Sequence, residues 1–144
     1  MINYGKQSIN KKDISAIIKT LQSNYLTTGP NTKIFERNFQ KKIKCKFALT
    51  ASSGTSAIHL ALLALNIKKG DVVIIPVINF IASLNMLEHL KAKVYFADVN
   101  KHTGQMTPET LKNCIKKNKL KKIKLIITMY NGGNPLNAEK FYDL

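Results

Sequence analysis

The residues with the clearest chemical potential form a short turn, Ser52 to Thr55, between an apolar run and a helical pattern. Ser and Thr side chains accept hydrogen bonds from the first N–H groups of a helix, which have no partner inside it. The same N–H groups, with the positive end of the helix dipole, can bind phosphate. Gly54 would let the backbone approach such an anion, and the hydroxyls of Ser53 and Thr55 could donate to it. By itself the turn favours a plain helix cap, because caps are far commoner than phosphate sites.

The segments on either side of this turn have the patterns of a strand and a helix. Phe47–Leu49 is apolar and short, which predicts a buried strand. From Ala57 onward, Ile58, Leu62 and Leu65 recur at helical spacing. We therefore expect a strand, a turn and a helix in this order.

Helical patterns also occupy the beginning of the chain. Asn10–Ser23 has apolar residues on one helical face, and Asn24–Asn31 is a loop marked by Gly29 and Pro30. A second helix is predicted to begin at Thr32 as its cap, with one apolar stripe. That stripe consists of Phe35, Phe39 and Ile43.

Strands and helices alternate over the remainder. Strands are predicted over Val72–Ile75, Lys93–Phe96 and Leu125–Met129. Helices are predicted over Phe80–Leu90, from Pro108 with Thr107 as the cap, and from Ala138. This alternation predicts an α/β fold with a mainly parallel sheet covered by helices on both faces. Residues 1–46 are interpreted as an N-terminal helical segment and residues 47–144 as the α/β domain.

Ligands of such sheets bind at the carboxyl ends of the strands. Three loops are predicted to lie at that edge: Ala51 to Thr55, Pro76 to Asn79 and Tyr130 to Pro135. All three are rich in small or polar residues. A binding site, if the chain has one, is expected there.

The composition limits the class of protein. The chain has 144 residues, of which 44% are hydrophobic, enough for one domain with a core. No apolar run is long enough to span a membrane, and the first residues lack the apolar core of a signal peptide. Two cysteines without metal-ligand spacing favour free thiols in a reducing cytoplasm. His59, His89 and His102 show no metal or catalytic spacing, so structural or surface positions are expected for them.

The net charge of +15 invites a nucleic-acid interpretation. However, Arg37 is the sole arginine among the 23 basic residues, and arginine is the favoured residue for bidentate contacts to bases and phosphates. The densest cluster, Lys116 to Lys124, is interpreted as a solvated surface segment. Nucleic acid is therefore not favoured as a partner. A small basic α/β module that binds anions without catalysis remains an alternative.

Several motifs, in the same order, resemble the DegT/DnrJ/EryC1/StrS family of sugar-nucleotide aminotransferases. The segment Leu26 to Pro30, with Phe35-Glu36, is similar to L-T-x-G-P followed by F-E. The segment Ser53 to Leu62 is similar to S-G-T-x-A-x-x-L-A-L. Further matches are Gly70-Asp71, Pro76, Asn79 to Ser83, Phe96 with Asp98, and Gly133 to Pro135. The resemblance implies the N-terminal part of the large domain of a type I pyridoxal-phosphate aminotransferase, with the sheet incomplete.

The resemblance also implies roles for individual residues. Pyridoxal 5'-phosphate is the implied cofactor, with Gly54 and Thr55 at its phosphate and Phe80 against its ring. Asn79 replaces the usual Thr or Ser of the family. The implied substrate-binding residues are Tyr4, Asn24, Tyr25, Leu26, Thr27 and Gly54. Ordinary loop packing remains the alternative for the residues before Gly54, and Tyr130 is given no role.

Within the family, the chain is most similar to transaminases of pseudaminic acid biosynthesis. Tyr4 to Gln7, Asp13-Ile14 and the lysine-rich segment before Leu125 carry this likeness. It implies amino transfer from L-glutamate to C4 of a UDP-linked 4-keto-6-deoxy-N-acetyl-hexosamine, for surface polysaccharide, in a homodimer. Enzymes of the bacillosamine, legionaminic acid or perosamine pathways remain alternatives. A different type I pyridoxal enzyme, such as a glycine-metabolising or cysteine-processing lyase, is disfavoured by the L-T-x-G-P loop.

No catalytic residue is assigned. The family's Schiff-base lysine follows S-x-H-x-x and its pyridinium aspartate stands in D-x-x-H-A-x-G, and neither motif occurs here. Pyridoxal chemistry requires both groups. We therefore expect a fragment, with these residues beyond position 144, that is inactive alone and prone to poor solubility or association.

Overall fold

The structure, a computed structural model of the chain, describes residues 5–135 and 138–142. Its packing divides the chain into two compact units, residues 1–50 and 51–144. The first contains helices α1 (Lys11–Leu21) and α2 (Pro30–Ile43). In order along the chain, the second contains α3 (Gly54–Ala64), β1 (Val72–Pro76), α4 (Ala82–His89), β2 (Lys93–Ala97), α5 (Pro108–Lys117) and β3 (Leu125–Ile126). Two 3-10 helices follow, Asn131–Gly133 and Ala138–Phe141.

Polar side chains set the ends of the first unit's helices. The side chain of Asn10 accepts the N–H groups of Lys12 and Asp13, and the Asp13 carboxylate accepts the Asn10 N–H at 2.8 Å. This reciprocal capping box fixes the start of α1. Between the helices, the side-chain amide of Asn31 donates to the Thr20 hydroxyl at 3.0 Å.

The predicted cap of the second helix is wrong. Gly29 is the N-cap of α2 and Pro30 occupies its first turn. Proline suits that position because its φ is already helical and the missing N–H would have had no partner. Thr32 therefore lies inside the helix.

The helices of the first unit bury no residue fully. The predicted stripes exist, but between 45% and 64% of each of these side chains is exposed: Ile14, Ile17, Ile18, Leu21, Phe35, Phe39 and Ile43. The Phe35 and Phe39 rings stack with their centres 6.2 Å apart. Amphipathicity thus predicted helix formation correctly, but it gave no information on what the apolar faces contact.

All pairings in the sheet are parallel, with the strand order β2-β1-β3. Val73 pairs with Val94 on one side and with Leu125 on the other. The crossover β1-α4-β2 places β2 on one side of β1, and the crossover β2-α5-β3 returns past β1 to place β3 on its other side. Strand β1 is therefore the centre of the sheet.

Alternate residues of β1 face two separate cores, as the two-residue period of a strand requires. Val73 and Ile75 pack with Leu62 of α3 and Leu87 of α4. Ile74 packs with residues of the opposite layer, which are Ala97, Met106, Leu111 and Cys114. Helices thus cover both faces, which confirms the predicted α/β class.

The number and length of the strands differ from the prediction. Phe47–Leu49 forms no strand, and Phe47 and Leu49 are 76% and 81% exposed. A strand needs a hydrogen-bonded neighbour, and no described residue forms a ladder with this segment. Strand β3 ends at Ile126, before the predicted Met129, although the N–H of Ile127 still donates to Ile74 at 2.9 Å.

Two helix predictions also need correction. Helix α3 begins at Gly54, three residues before Ala57, because Ser53 is its N-cap. Leu65, the last residue of the predicted helical pattern, is the C-cap and is 50% exposed. The helix predicted from Ala138 is a 3-10 helix as far as Phe141. Among the residues that the structure describes, no helix is long and apolar enough to cross a membrane.

Candidate functional site

The N-terminus of α3 is built by the serine and glycine turn. Ser53 has an extended backbone, and its hydroxyl accepts the N–H of Ser56 at 3.1 Å. Its carbonyl accepts the N–H of Ala57 at 3.0 Å. The hydroxyls of Ser53 and Ser56 lie 3.1 Å apart. These bonds satisfy the third and fourth N–H groups of the helix and define its direction.

The first two N–H groups, those of Gly54 and Thr55, have no partner among the described residues. The Thr55 hydroxyl is likewise without a described partner, and the residue is half-buried. A Cβ added to Gly54 would meet no atom within 4 Å. The space beside Gly54 is therefore open, and the first turn of the helix carries two unpaired backbone donors and a hydroxyl. This donor set suits an anion at the positive end of a helix.

Hydrogen bonds show which end of the sheet this turn occupies. The N–H of Gly70 donates to Lys91 at 2.9 Å, and that of Lys93 donates to Asp71 at 2.8 Å. The chain after α3 and the chain after α4 therefore meet at the edge where β1 and β2 begin. Both helices precede parallel strands and run in the same direction, so their N-termini lie toward the carboxyl ends of the strands.

A contact between two rings shows how far α3 and α4 are offset along their axes. The His59 and His89 rings have centres 5.7 Å apart. His59 lies five residues after the start of α3 at Gly54, and His89 lies seven residues after the start of α4 at Ala82. At about 1.5 Å per residue, the two starts are level within roughly one helical turn.

Phe80 lies two residues before α4, in the loop that follows β1, and is 68% exposed. The same loop carries Asn79, whose side-chain nitrogen is buried without a hydrogen-bond partner. The N–H of Val77 still donates to Ala97 at 2.9 Å, so the loop starts from a fixed position. The loop thus supplies an exposed ring and an unpaired donor at the end of the sheet where α3 begins.

The loops after β2 and β3 are joined by a residue that the sequence did not single out. Gln105 is 2% exposed, and its amide nitrogen donates to the carbonyl of Asn134 at 2.9 Å. The amide oxygen of Gln105 is buried without a partner. A lone glutamine in a polar loop gives no signal of burial in the sequence.

The predicted substrate residues Asn24, Tyr25, Leu26 and Thr27 lie between α1 and α2, in the first unit. All four are exposed. The Ser23 hydroxyl contacts the backbone of this loop, with its oxygen 3.1 Å from the Tyr25 carbonyl. Tyr25 also lines a groove of about 720 Å³ between the two helices. Tyr4 lies outside the described residues.

Glycine is required at the end of this loop. A Cβ added to Gly29 would come within 2.7 Å of the Tyr25 Cβ, a contact that real structures avoid. Gly29 therefore allows the side chain of Tyr25 to lie against the start of α2.

The three residues predicted to bind the cofactor are Gly54, Thr55 and Phe80. All three belong to the second unit and lie at the same end of it.

One family model matches nearly the whole chain. The model of the "DegT/DnrJ/EryC1/StrS aminotransferase family" matches residues 7–144. The uncharacterized protein MJ1066 of Methanocaldococcus jannaschii is 36% identical over 132 residues, 92% of this chain and 33% of that protein.

Two solved structures are similar over most of the chain. One is an aminotransferase from Psychrobacter cryohalolentis, with TM-score 0.83, 31% identity, and coverage of 94% of this chain and 34% of that one. The other is the Escherichia coli GDP-4-keto-6-deoxy-D-mannose-3-dehydratase with bound hydrated pyridoxal phosphate. Its TM-score is 0.88 and its sequence identity is 29%, and the match covers 99% of this chain and 38% of that one.

The chain thus spans about a third of the length of the proteins that it matches. The family match extends over nearly all of its residues, and pyridoxal phosphate, the cofactor implied by the motifs, is the cofactor of that family. This chain belongs to the DegT/DnrJ/EryC1/StrS aminotransferase family.

Proposed function

We propose that this chain supplies the phosphate-binding part of a pyridoxal-phosphate aminotransferase that acts on a nucleotide sugar. One observation carries the proposal: the N–H groups of Gly54 and Thr55 have no described partner, and the space beside Gly54 is open. Pyridoxal phosphate, the cofactor of the family, carries a phosphate of suitable charge, which supports the proposal.

Each residue of the second unit has a part in this proposal. Gly54 and Thr55 hold the phosphate through two N–H groups and one hydroxyl at the helix N-terminus. Phe80 packs against the pyridine ring, where stacking of two aromatic faces adds about 1 kcal/mol. The unpaired amide of Asn79 is a further donor at this edge of the sheet. When bound, pyridoxal phosphate withdraws electrons from the amino-acid carbon that it carries.

The finer function is amino transfer from L-glutamate to the C4 keto group of a UDP-linked 4-keto-6-deoxy-N-acetyl-hexosamine. Its place is the biosynthesis of pseudaminic acid for surface polysaccharide, in a cytoplasmic homodimer. The likeness of Tyr4 to Gln7 supports this choice, and the bacillosamine, legionaminic acid and perosamine pathways are the alternatives. Asn24 to Thr27, and Tyr4, are the proposed substrate contacts.

This chain does not catalyse the transfer alone in our proposal. None of its lysines follows the S-x-H-x-x pattern of the family. Borohydride reduction with pyridoxal phosphate, followed by peptide mapping, tests this point. One uniquely labelled lysine, together with release of 2-oxoglutarate from glutamate, would refute it.

Equilibrium binding tests the phosphate site directly. We expect the chain to bind pyridoxal phosphate more tightly than pyridoxal, which lacks the phosphate. Thr55→Val should weaken binding of pyridoxal phosphate by about tenfold or more, since a hydrogen bond to a charged group contributes about 1.5–3 kcal/mol and about 1.4 kcal/mol is a factor of ten in affinity. The matched control is Thr32→Val, on the exposed surface of α2. Equal binding of pyridoxal and pyridoxal phosphate would contradict the proposal.

The nucleotide can be tested separately. If Asn24 to Thr27 contact a UDP-sugar, UDP-N-acetylglucosamine should shift the amide resonances of these four residues in two-dimensional NMR spectra. GDP-mannose at the same concentration should shift them less. Equal shifts with both nucleotides would remove the preference for UDP, without affecting the phosphate site at α3.

A further inference from the structure

Two histidines that are thirty positions apart in the sequence come together in the second unit. His59 lies in the middle of α3 and His89 is the last residue of α4. Their ring centres are 5.7 Å apart and the ring planes are at 88° to each other. His59 is half-buried and His89 is exposed, so an ion can reach both rings from solvent.

This separation suits two imidazoles on one transition-metal ion. With Zn–N bonds of about 2.0–2.1 Å and a tetrahedral angle, two coordinated imidazole rings have centres roughly 5 Å apart. Imidazole suits Zn²⁺, Cu²⁺ and Ni²⁺, and it prefers these ions to Mg²⁺ or Ca²⁺.

The helices that carry the two rings are held by packing that does not involve them. Leu62 of α3 and Leu87 of α4 are buried in one core, and Ile58 and Leu84 pack against it. The positions of the two histidines are therefore set before any ion arrives, which lowers the entropic cost of binding.

We propose that His59 and His89 form a two-ligand site for a divalent transition-metal ion, with water completing the coordination sphere. The net charge of +15 disfavours cations in general, so binding here comes from coordination. The described residues contain no group of three or more His, Cys, Asp or Glu side chains that could hold a metal. The site is therefore exchangeable and open to solvent, and an ion bound there links α3 to α4.

The experiment is a Zn²⁺ titration of the metal-free chain, followed by the imidazole C–H resonances of its three histidines. We expect the His59 and His89 resonances to shift together, with one binding curve. His102 should shift only at much higher Zn²⁺, and His102→Gln is the matched control variant. Its backbone N–H, which donates to Asn100 at 2.9 Å, is retained in that variant.

His59→Gln and His89→Gln should each weaken Zn²⁺ binding by tenfold or more. Mutating even a residue that only hydrogen-bonds to a metal ligand typically lowers metal affinity by roughly 10–100-fold. Zn²⁺ should also raise the melting temperature of the wild-type chain and of His102→Gln, but not of the other two variants. Independent binding curves for His59 and His89, or equal shifts of all three histidines, would overturn the proposal. The 5.7 Å contact would then be ordinary edge-to-face packing.

Discussion

The carboxylate of Glu36 accepts two hydrogen bonds from Thr50, one from its backbone N–H and one from its hydroxyl, both at 2.9 Å. These bonds tie the middle of α2 to a residue fourteen positions later in the same unit. Both bonds hold the pKa of the Glu36 carboxyl below its ordinary value of 4.5, and the bond from the N–H has the larger effect. Glu36 was noted in the sequence as part of a family motif, without a role.

A pH dependence of stability follows from this pair. Because the folded-state pKa is lowered, ionised Glu36 stabilises the fold above its ordinary pKa, and this contribution is lost as the pH falls through that value toward the folded-state pKa. Thermal melts of the wild-type chain from pH 6 to pH 3 should therefore show a decline that is shallower in Glu36→Gln. Glu88→Gln, on the exposed side of α4, is the matched control. A decline of equal slope in wild type and Glu36→Gln would contradict this assignment.

Alanine variants of Phe80 and Leu87 should affect different properties, cofactor binding in the first and stability in the second. Leu87 is 0% exposed, so Leu87→Ala should lower the free energy of unfolding by about 2–5 kcal/mol. Phe80 is 68% exposed, and Phe80→Ala should lower it by less than about 1 kcal/mol. Phe80→Ala should instead weaken the binding of pyridoxal phosphate.

Urea denaturation and cofactor titration of both variants measure the two effects. A large loss of stability in Phe80→Ala, with unchanged cofactor binding, would mean that its ring belongs to the core. The proposed contact of Phe80 with the cofactor would then be abandoned.

The loop between α1 and α2 should be sensitive to one methyl group. In Gly29→Ala, the new Cβ would lie 2.7 Å from the Tyr25 Cβ unless the loop moved. We expect a loss of about 1–3 kcal/mol, as for other overpacked contacts, and altered amide shifts in residues 24–28. Gly5→Ala is the control, since its Cβ would meet nothing within 4 Å. Unchanged shifts in Gly29→Ala would show that Tyr25 does not lie where the structure has it.

Replacing Thr107 or Thr32 by alanine should change the stability by different amounts, although the sequence predicts both as helix caps. Thr107 caps α5, its hydroxyl accepting the N–H of Thr110 at 3.3 Å. Thr107→Ala should therefore cost about 1 kcal/mol of stability. Thr32 is inside α2, and Thr32→Ala should be neutral or slightly stabilising because alanine is the better helix former. Chemical denaturation of the two variants compares them, and equal costs would contradict the assigned helix starts.

The sequence was most informative where local chemistry and tertiary packing agree. Val72 to Ile75 is apolar, and Val73 to Ile75 is buried on both faces, so this strand could be predicted. Thr107 with Pro108 specified the start of α5. Phe47–Leu49 has the same apolar character, but a strand also requires a neighbour, which no local pattern encodes. Thr32 has a side chain typical of a helix cap, but Pro30 is also suited to the first turn, and the helix begins at Pro30.

In the candidate site, too, the local features could be predicted from the sequence and the tertiary contacts could not. The S-G-T turn could be located from residue types, since capping and anion binding both depend on local backbone geometry. The contact of His59 with His89 depends on the packing of α3 on α4, and the burial of Gln105 depends on two loops that follow different strands. Such juxtapositions are tertiary and leave no periodic signal in the sequence.

The strand order also constrains how the second unit can be assembled during synthesis. Val73 must find Val94 and Leu125, which are 21 and 52 positions further along the chain. Parallel neighbours cannot form a hairpin, so each pairing waits for a crossover helix to be made. During synthesis β1, α4 and β2 emerge before β3, so β1 can pair with β2 first and keeps its second edge unpaired until β3 has emerged.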